Sequence, residues 1–122
     1  KPVALDGYVK LISDGNFVHK GPMSRGIKSG MGKTVIIVND GIEIILTETR
    51  TQPYDAEVLR SVGIEPRDRK IIVIKSAVHF RADFTPLAHE ILDIDTPGVH
   101  SPNLLSYDYK NIRRPIYPLD KI

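Results

Sequence analysis

The sequence predicts one domain of the α/β or α+β class. It should contain a single mixed β-sheet, a β-hairpin, one or two short crossover helices and a proline-rich extended C-terminal segment. Three features lead to this prediction: short β-branched runs, an Asp-Gly pair between two of them, and one stretch with helical spacing. The chain has 122 residues, 41% of them hydrophobic and 26% charged, as expected for a globular domain with one core.

The first strands are predicted near the N-terminus. Residues 8–12 alternate like a strand, and Ser13-Asp14-Gly15-Asn16 signals a turn into a short return through Phe17 and Val18. Residues 21–33 are rich in glycine, which predicts a mobile loop.

The hairpin is predicted from residues 34–38 and 42–47, two β-branched runs that flank Asn39-Asp40-Gly41. Aspartate and glycine tolerate the positive φ that a primed two-residue turn needs, so a tight hairpin is expected here.

A crossover is predicted next. Apolar residues at 54, 58, 59 and 62 share one helical face, and Gly63 follows as a C-terminal cap. Residues 70–75 then form another apolar run that is typical of a buried strand. A strand, a helix and a strand in succession favour a parallel crossover.

The last part of the chain is predicted to begin with a short helix. Thr85-Pro86 should start this helix, which continues to about Glu90, and residues 91–95 alternate like a strand. Residues 96–122 contain several prolines and should lie extended, docking five apolar side chains on the body: Leu104, Tyr107, Tyr109, Ile112 and Tyr117.

Composition argues against several classes of protein. The net charge of +2 is too small for a nucleic-acid surface, and the apolar runs are too short to span a membrane. The chain has no cysteine, which excludes disulfides and thiolate zinc sites within it. It starts at Lys1 and shows no signal peptide, so we expect an excised piece of a cytoplasmic protein.

One stretch looks like a phosphate-binding loop but fails in two respects. Ser29-Gly30-Met31-Gly32-Lys33-Thr34 has the right ending, yet Ile27 stands where the pattern needs glycine. The loop must also open a helix, whereas Thr34 is predicted to open a strand. The sequence therefore argues against nucleotide binding.

The histidines give no complete catalytic or metal motif. Two His/Asp pairs have a four-residue spacing that could share a metal on a helix, His79–Asp83 and His89–Asp93. Pro86 argues against one continuous helix through both pairs. Ser76 precedes His79 by three residues, but no nucleophile elbow surrounds this serine. We expect no catalytic residue and no metal site in this chain.

Candidate binding residues follow the two strands that were predicted to be parallel. Their carboxyl ends would share one sheet edge, where open sheets bind ligands. The four candidates there are Arg50, Ser76, His79 and Arg81. They would suit a carboxylate or another anion. Alternatively, both arginines pair with nearby acids and only fasten loops.

Several motifs resemble the C-terminal domain of microcystinase C-like (MlrC-like) zinc metallopeptidases. They are Leu11-Ile-Ser-Asp-Gly-Asn-Phe17, Gly21-Pro22-Met23, Leu46-Thr-Glu-Thr-Arg-Thr-Gln-Pro53, Gly63-Ile-Glu-Pro66, Val73-Ile-Lys-Ser-Ala-Val-His-Phe-Arg-Ala82, Asp95-Thr-Pro-Gly98, Ser101-Pro102 and Arg114-Pro-Ile-Tyr-Pro-Leu-Asp120. The resemblance covers nearly the whole chain, in order.

The resemblance implies an accessory role in a peptide hydrolase. The zinc ligands and the acid–base groups would belong to a large N-terminal domain, which would be the partner of this chain. In such enzymes a zinc-bound water attacks a polarised carbonyl. Residues 75–81 match a family signature and are candidates for a wall of the substrate cleft. Two other hypotheses stay open: a structural or oligomerisation module, and a small anion-binding domain.

Overall fold

The computed structural model describes residues 4–94, 101 and 103–121. The chain divides into two units, Lys1–Glu90 and Ile91–Ile122. Strands and helices of the first unit are β1 (Tyr8–Ser13), β2 (Asn16–Val18), β3 (Lys28–Gly30), β4 (Thr34–Asn39), β5 (Ile42–Thr47), α1 (Glu57–Arg60) and α2 (Arg81–Phe84). Two antiparallel sheets with short helices confirm the α+β class.

The larger sheet has the strand order β1-β4-β5, and both pairs of strands are antiparallel. The predicted hairpin is confirmed: Asn39 pairs with Ile42, and the two-residue turn has φ of 46° at Asp40 and 79° at Gly41. Two positive φ angles match the right-handed twist of the flanking strands. The register of β1 shifts between Val9 and Leu11, as at a β-bulge.

The smaller sheet pairs β2 with β3. The predicted return through Phe17 is therefore β2, which pairs with β3 and not with β1. The chain turns between β1 and β2 at Gly15, whose φ is 70°. The prediction of a loop over residues 21–33 was wrong in its last part, which contains β3. Between the two strands the loop closes on itself, since the His19 amide donates to the Ile27 carbonyl at 2.9 Å.

The core lies between the two sheets and α1. Six buried apolar side chains form it: Phe17, Met31, Ile36, Val58, Val62 and Ile64. The predicted helix is confirmed, although α1 is only one turn long. The predicted cap at Gly63 is confirmed too. The amide of Gly63 donates to the Arg60 carbonyl at 2.9 Å and that of Ile64 to the Leu59 carbonyl at 3.0 Å, a Schellman motif.

The predicted parallel crossover and single mixed sheet were wrong. Residues 71–76 alternate between exposed and half-buried, but they pair with no strand in the described part of the chain. The apolar run has the composition of a strand, yet a strand exists only where a neighbour accepts its hydrogen bonds. Ile71 and Val73 remain 83% and 88% exposed.

The predicted helix after Thr85 was also misplaced. Thr85 is the C-cap of α2, because its amide donates to the Arg81 carbonyl at 3.1 Å while Phe84 is buried in the unit. The predicted strand over residues 91–95 is not seen at 91–94, and Asp95 lies outside the described residues.

The second unit contains a 3-10 helix, Leu104–Ser106, whose first turn is capped by the Asn103 side chain. The Asp120 carboxylate accepts from the Ile116 amide at 2.7 Å and pairs with Arg114. That the tail docks on the body stays a prediction, and residues 96–100, 102 and 122 lie outside the described residues. Within the described residues, no helix is long and apolar enough to cross a membrane.

Candidate functional site

Two of the four predicted site residues are brought together by a third residue. The amide nitrogen of Gln52 lies 2.8 Å from His79 Nδ1 and 3.5 Å from Ser76 Oγ. Gln52 follows β5, whereas Ser76 and His79 lie in the segment that leads into α2. These three exposed or half-exposed side chains, Gln52, Ser76 and His79, are called the Gln52 cluster below.

The other two predicted site residues, Arg50 and Arg81, lie in different parts of the unit. Arg81 is the first residue of α2, and its guanidinium lies 5.4 Å from the centre of the Phe80 ring, a cation–π contact. Arg50 is exposed in the loop after β5. The shared edge of two parallel strands does not exist, so Ser76 and His79 meet residues of the β5 loop through Gln52 instead.

The sequence analysis missed a buried contact between a histidine and an aspartate. His19 Nδ1 lies 3.1 Å from Asp55 Oδ2, and the two side chains are only 2% and 1% exposed. The Asp55 carboxylate also accepts the Gly21 amide at Oδ2 and the Glu57 amide at Oδ1, each at 2.8 Å. Asp55 thereby joins the loop between β2 and β3 to the start of α1.

Burial and hydrogen bonding shift the pKa of Asp55 in opposite directions. Burial raises this pKa, but the amide hydrogen bonds from Glu57 and Gly21 and the contact with His19 lower it more, so the pKa lies below its ordinary value. An ionised carboxylate only accepts hydrogen bonds, so the nitrogen of His19 that faces Asp55 carries a hydrogen.

The other side of the His19 ring is also occupied. Tyr54 stacks on the imidazole with ring centres 5.0 Å apart, and its hydroxyl oxygen lies 3.3 Å from His19 Nε2. Phe17 packs edge-on against the same ring at 4.8 Å. Both ring nitrogens have protein partners and the side chain is buried. We therefore infer that His19 holds Asp55 and Tyr54 in position.

A second carboxylate links this pair to α2. Asp83 accepts the Ala56 amide at 2.7 Å, and a side chain added at Gly21 would meet both Asp55 Oδ2 and Asp83 Cγ at 2.9 Å. Gly21 is therefore required where the two carboxylates approach the backbone. Buried His19 and Asp55 and half-buried Tyr54 and Asp83, together called the buried polar cluster below, hold the helix that carries Arg81.

The metal-binding capacity of these residues is a separate matter. No group of three or more His, Asp or Glu side chains in the described ranges is arranged to hold a metal ion. The two His/Asp spacings noted in the sequence fall on either side of the end of α2 rather than on one helix. The described residues therefore do not fit a catalytic metal, and we derive no metal-dependent step from them.

The lowered pKa of Asp55 makes a prediction about pH. A carboxyl group whose pKa falls on folding stabilises the protein above its unfolded pKa, and this contribution is lost as the pH falls through the folded pKa. We expect Asp55→Asn to destabilise the protein most near neutral pH. The difference from the wild type should shrink below about pH 4, near the ordinary value of 3.8. Urea unfolding of both proteins at several pH values measures it, and a difference independent of pH would contradict it.

Comparison with known proteins identifies the family. A family model described as the MlrC C-terminus matches residues 1–111. The chain belongs to this family. Microcystinase C of a Sphingomonas species is 24% identical over 98 residues, which are 80% of this chain but 18% of that protein. The MlrC C-terminal chain thus spans less than a fifth of that relative's length.

A solved structure shows the same fold. It is the crystal structure of a protein named "Putative metallopeptidase" from Mesorhizobium sp. BNC1, with a TM-score of 0.80 and 24% identity. The match covers 97% of the MlrC C-terminal chain and 24% of the other chain. The family model thus confirms the resemblance inferred from sequence motifs, and this structure shows the same fold.

Sequence signals for the two clusters differ. Ser76 and His79 stand out because they lie three residues apart beside an arginine, and Gln52 lies in the loop that was predicted to face them. His19 and Asp55 are 36 residues apart, and no motif joins them. The one available signal was Asp55 before a helix, which suggests a cap and says nothing about a histidine.

Proposed function

We propose that this chain is an accessory C-terminal region of an MlrC-like metallopeptidase, which packs on a catalytic N-terminal domain and lines part of its substrate cleft. Two longer relatives support the hydrolase class, one named microcystinase C and one named as a metallopeptidase. In this proposal the metal, zinc by family resemblance, is held by the N-terminal domain together with the acid–base groups.

The Gln52 cluster is the observation that carries the cleft assignment. Residues 24 and 27 positions apart converge through Gln52, although none of them is needed to fill the core. They place amide, hydroxyl and imidazole groups close together, and Arg81 follows His79 by two residues in the sequence. Such groups donate hydrogen bonds to carboxylates and to peptide carbonyls, with the guanidinium contributing the strongest of them.

The buried polar cluster also supports the cleft assignment, because it holds the helix that carries Arg81. Asp83 lies on α2 two residues after Arg81, and its bond to the Ala56 amide fixes that short helix against the start of α1. A helix of one turn has little stability of its own, so this tertiary contact sets where Arg81 stands. Precise placement of a binding group is what a substrate cleft requires.

Substitution of His79 and Arg81 in the full-length protein tests the cleft assignment. We expect His79→Ala and Arg81→Ala each to lower kcat/KM about tenfold, as for loss of one substrate contact, with fold and metal content unchanged. His89→Ala and Arg67→Ala are matched controls, since both residues are exposed in other parts of the unit.

Wild-type kinetics in both cleft variants would contradict the cleft assignment and favour a structural or oligomerisation module. In that case activity would fall only with stability, as in core variants. Tight binding of a small anion by the chain, with no effect of His79→Ala or Arg81→Ala on peptide hydrolysis, would instead favour the anion-binding alternative.

A further inference from the structure

The outer face of the larger sheet is apolar on all three strands. Ile36 pairs with Leu11 and Ile45 on the inner face, which packs on the core. Side chains alternate between the faces of a strand, so the positions next to Ile36, Ile45 and Leu11 point outward, and the bulge in β1 pairs Val9 with outward-facing Ile37. They form two rows across the sheet, Ile12–Val35–Leu46 and Val9–Ile37–Ile44. We call these six residues the outer sheet face.

Much of this face is exposed in the first unit, although Val35, Ile37 and Ile44 are half-buried and Gly7 lies against the Ile37 side chain. Ile12 is 68% exposed, Val9 48% and Leu46 45%. A depression of about 440 Å³ lies over Val35, Ile37 and Leu46 and has Lys33 and Glu48 at its rim. All six side chains of the face are apolar, although a face in contact with water normally carries polar residues.

The sequence of the strands indicates a sheet that is buried on both sides. An antiparallel strand with one wet face alternates between apolar and polar residues, whereas a strand covered on both faces reads as a continuous apolar run. Val35-Ile36-Ile37-Val38 and Ile44-Ile45-Leu46 are continuous runs. Contiguous exposed apolar surface of this kind marks an interaction site.

We propose that the outer sheet face docks an apolar surface of the part of the protein that precedes this chain. The matching family model describes the C-terminus of MlrC proteins. The chain covers 18% and 24% of two longer relatives, so most of each relative lies outside the matched region. The six residues of the face carry no charge, and Lys33 and Glu48 lie only at its rim, which suits an apolar partner surface within one polypeptide. This inference rests on the proposed function, because both require the preceding domain.

Cysteine labelling in the full-length protein tests the docking. The chain has no cysteine, so Ile12→Cys and Leu46→Cys each add a single thiol to it. Val18→Cys and Ile27→Cys are matched controls, since these residues are 43% and 58% exposed and lie away from the outer sheet face. We expect maleimide to label the two face positions about tenfold or more slowly than the controls, because the interface must open first.

Equal labelling rates at all four positions would overturn the proposal. Carbene footprinting of the unsubstituted protein gives the same comparison without a variant that could fail to fold. We expect residues 42–47 to be protected, and residues 16–18 to be modified. Strong modification of both segments would overturn the proposal too.

Photo-crosslinking identifies the occupant. A benzophenone amino acid at position 12 of the full-length protein should crosslink to a peptide that precedes this chain, at concentrations where sedimentation shows a monomer. A crosslink to a second copy, or to residues 103–121 of the same chain, would overturn the proposal. None of these measurements uses activity. Slow labelling of Leu46→Cys together with wild-type kinetics in both His79→Ala and Arg81→Ala would therefore support the docking while the cleft assignment fails.

Discussion

Asp55→Ala is expected to lower the free energy of unfolding by about 3 kcal/mol or more, because it removes several buried hydrogen bonds to a charged acceptor, each worth about 1.5–3 kcal/mol. The substitution leaves the amides of Gly21 and Glu57 and the ring of His19 without their shared acceptor. All three donors are buried, so water cannot replace the lost hydrogen bonds without opening the unit. Urea denaturation followed by circular dichroism measures the change.

An exposed aspartate in a turn is the matched control. Asp14 accepts hydrogen bonds from the amide and the side chain of Asn16, but it lies in water. We expect Asp14→Ala to change stability far less than Asp55→Ala, because solvent satisfies the freed groups. A loss at Asp55 no larger than at Asp14 would show that the buried polar cluster does not hold the loop, α1 and α2 together.

Gly15→Ala is expected to cost about 3 kcal/mol or more, since the new methyl group meets the backbone in a well-packed region. Its Cβ would lie 2.3 Å from the Gly32 carbonyl oxygen and 2.6 Å from Thr34 Oγ1. The carbonyl belongs to the backbone between β3 and β4, so it cannot move aside as a flexible side chain would. The positive φ of 70° adds strain for any L-residue.

Gly26→Ala separates the cost of the steric clash from the cost of the positive φ. Gly26 has a φ of 85°, but a Cβ there would meet nothing within 4 Å. We expect this control to cost about 1 kcal/mol, the price of the left-handed conformation alone. Chemical denaturation of the two variants gives the comparison. Equal losses would mean that the approach of Gly15 to Gly32 is looser than the structure has it.

Local signals predicted the parts of the fold that depend on neighbouring residues. Asp40-Gly41 fixed the β4–β5 hairpin, and Gly63 marked the end of α1, because each needs a positive φ within a few residues. The run at residues 70–75 misled because its composition predicts a strand, while pairing depends on a partner far away in the chain. The loop at 21–33 hid β3 for the same reason, since Lys28–Gly30 has no strand-like composition and pairs only because β2 lies beside it.

The candidate site residues also divide into those that local sequence suggested and those that only the fold brings together. His79 and Arg81 stay predictions, made because they are polar residues beyond an apolar run, although the argument from a parallel edge was wrong. His19 was passed over, since an isolated histidine is ordinary and its partner Asp55 is distant in sequence. Only the folded chain, in which the β2–β3 loop returns past α1, puts these two side chains in contact.

The extended segment at residues 70–76 has a consequence for the solubility of the chain. Ile71-Ile72-Val73-Ile74 is a short, strongly β-prone stretch, and such a stretch with free edges can stack on identical copies as cross-β structure. Lys70 and Lys75 stand directly on either side of it, both exposed. In an in-register stack each lysine would lie about 4.8 Å from its counterpart, so repulsion between like charges opposes growth. We therefore expect these two lysines to oppose aggregation through the exposed residues Ile71 and Val73.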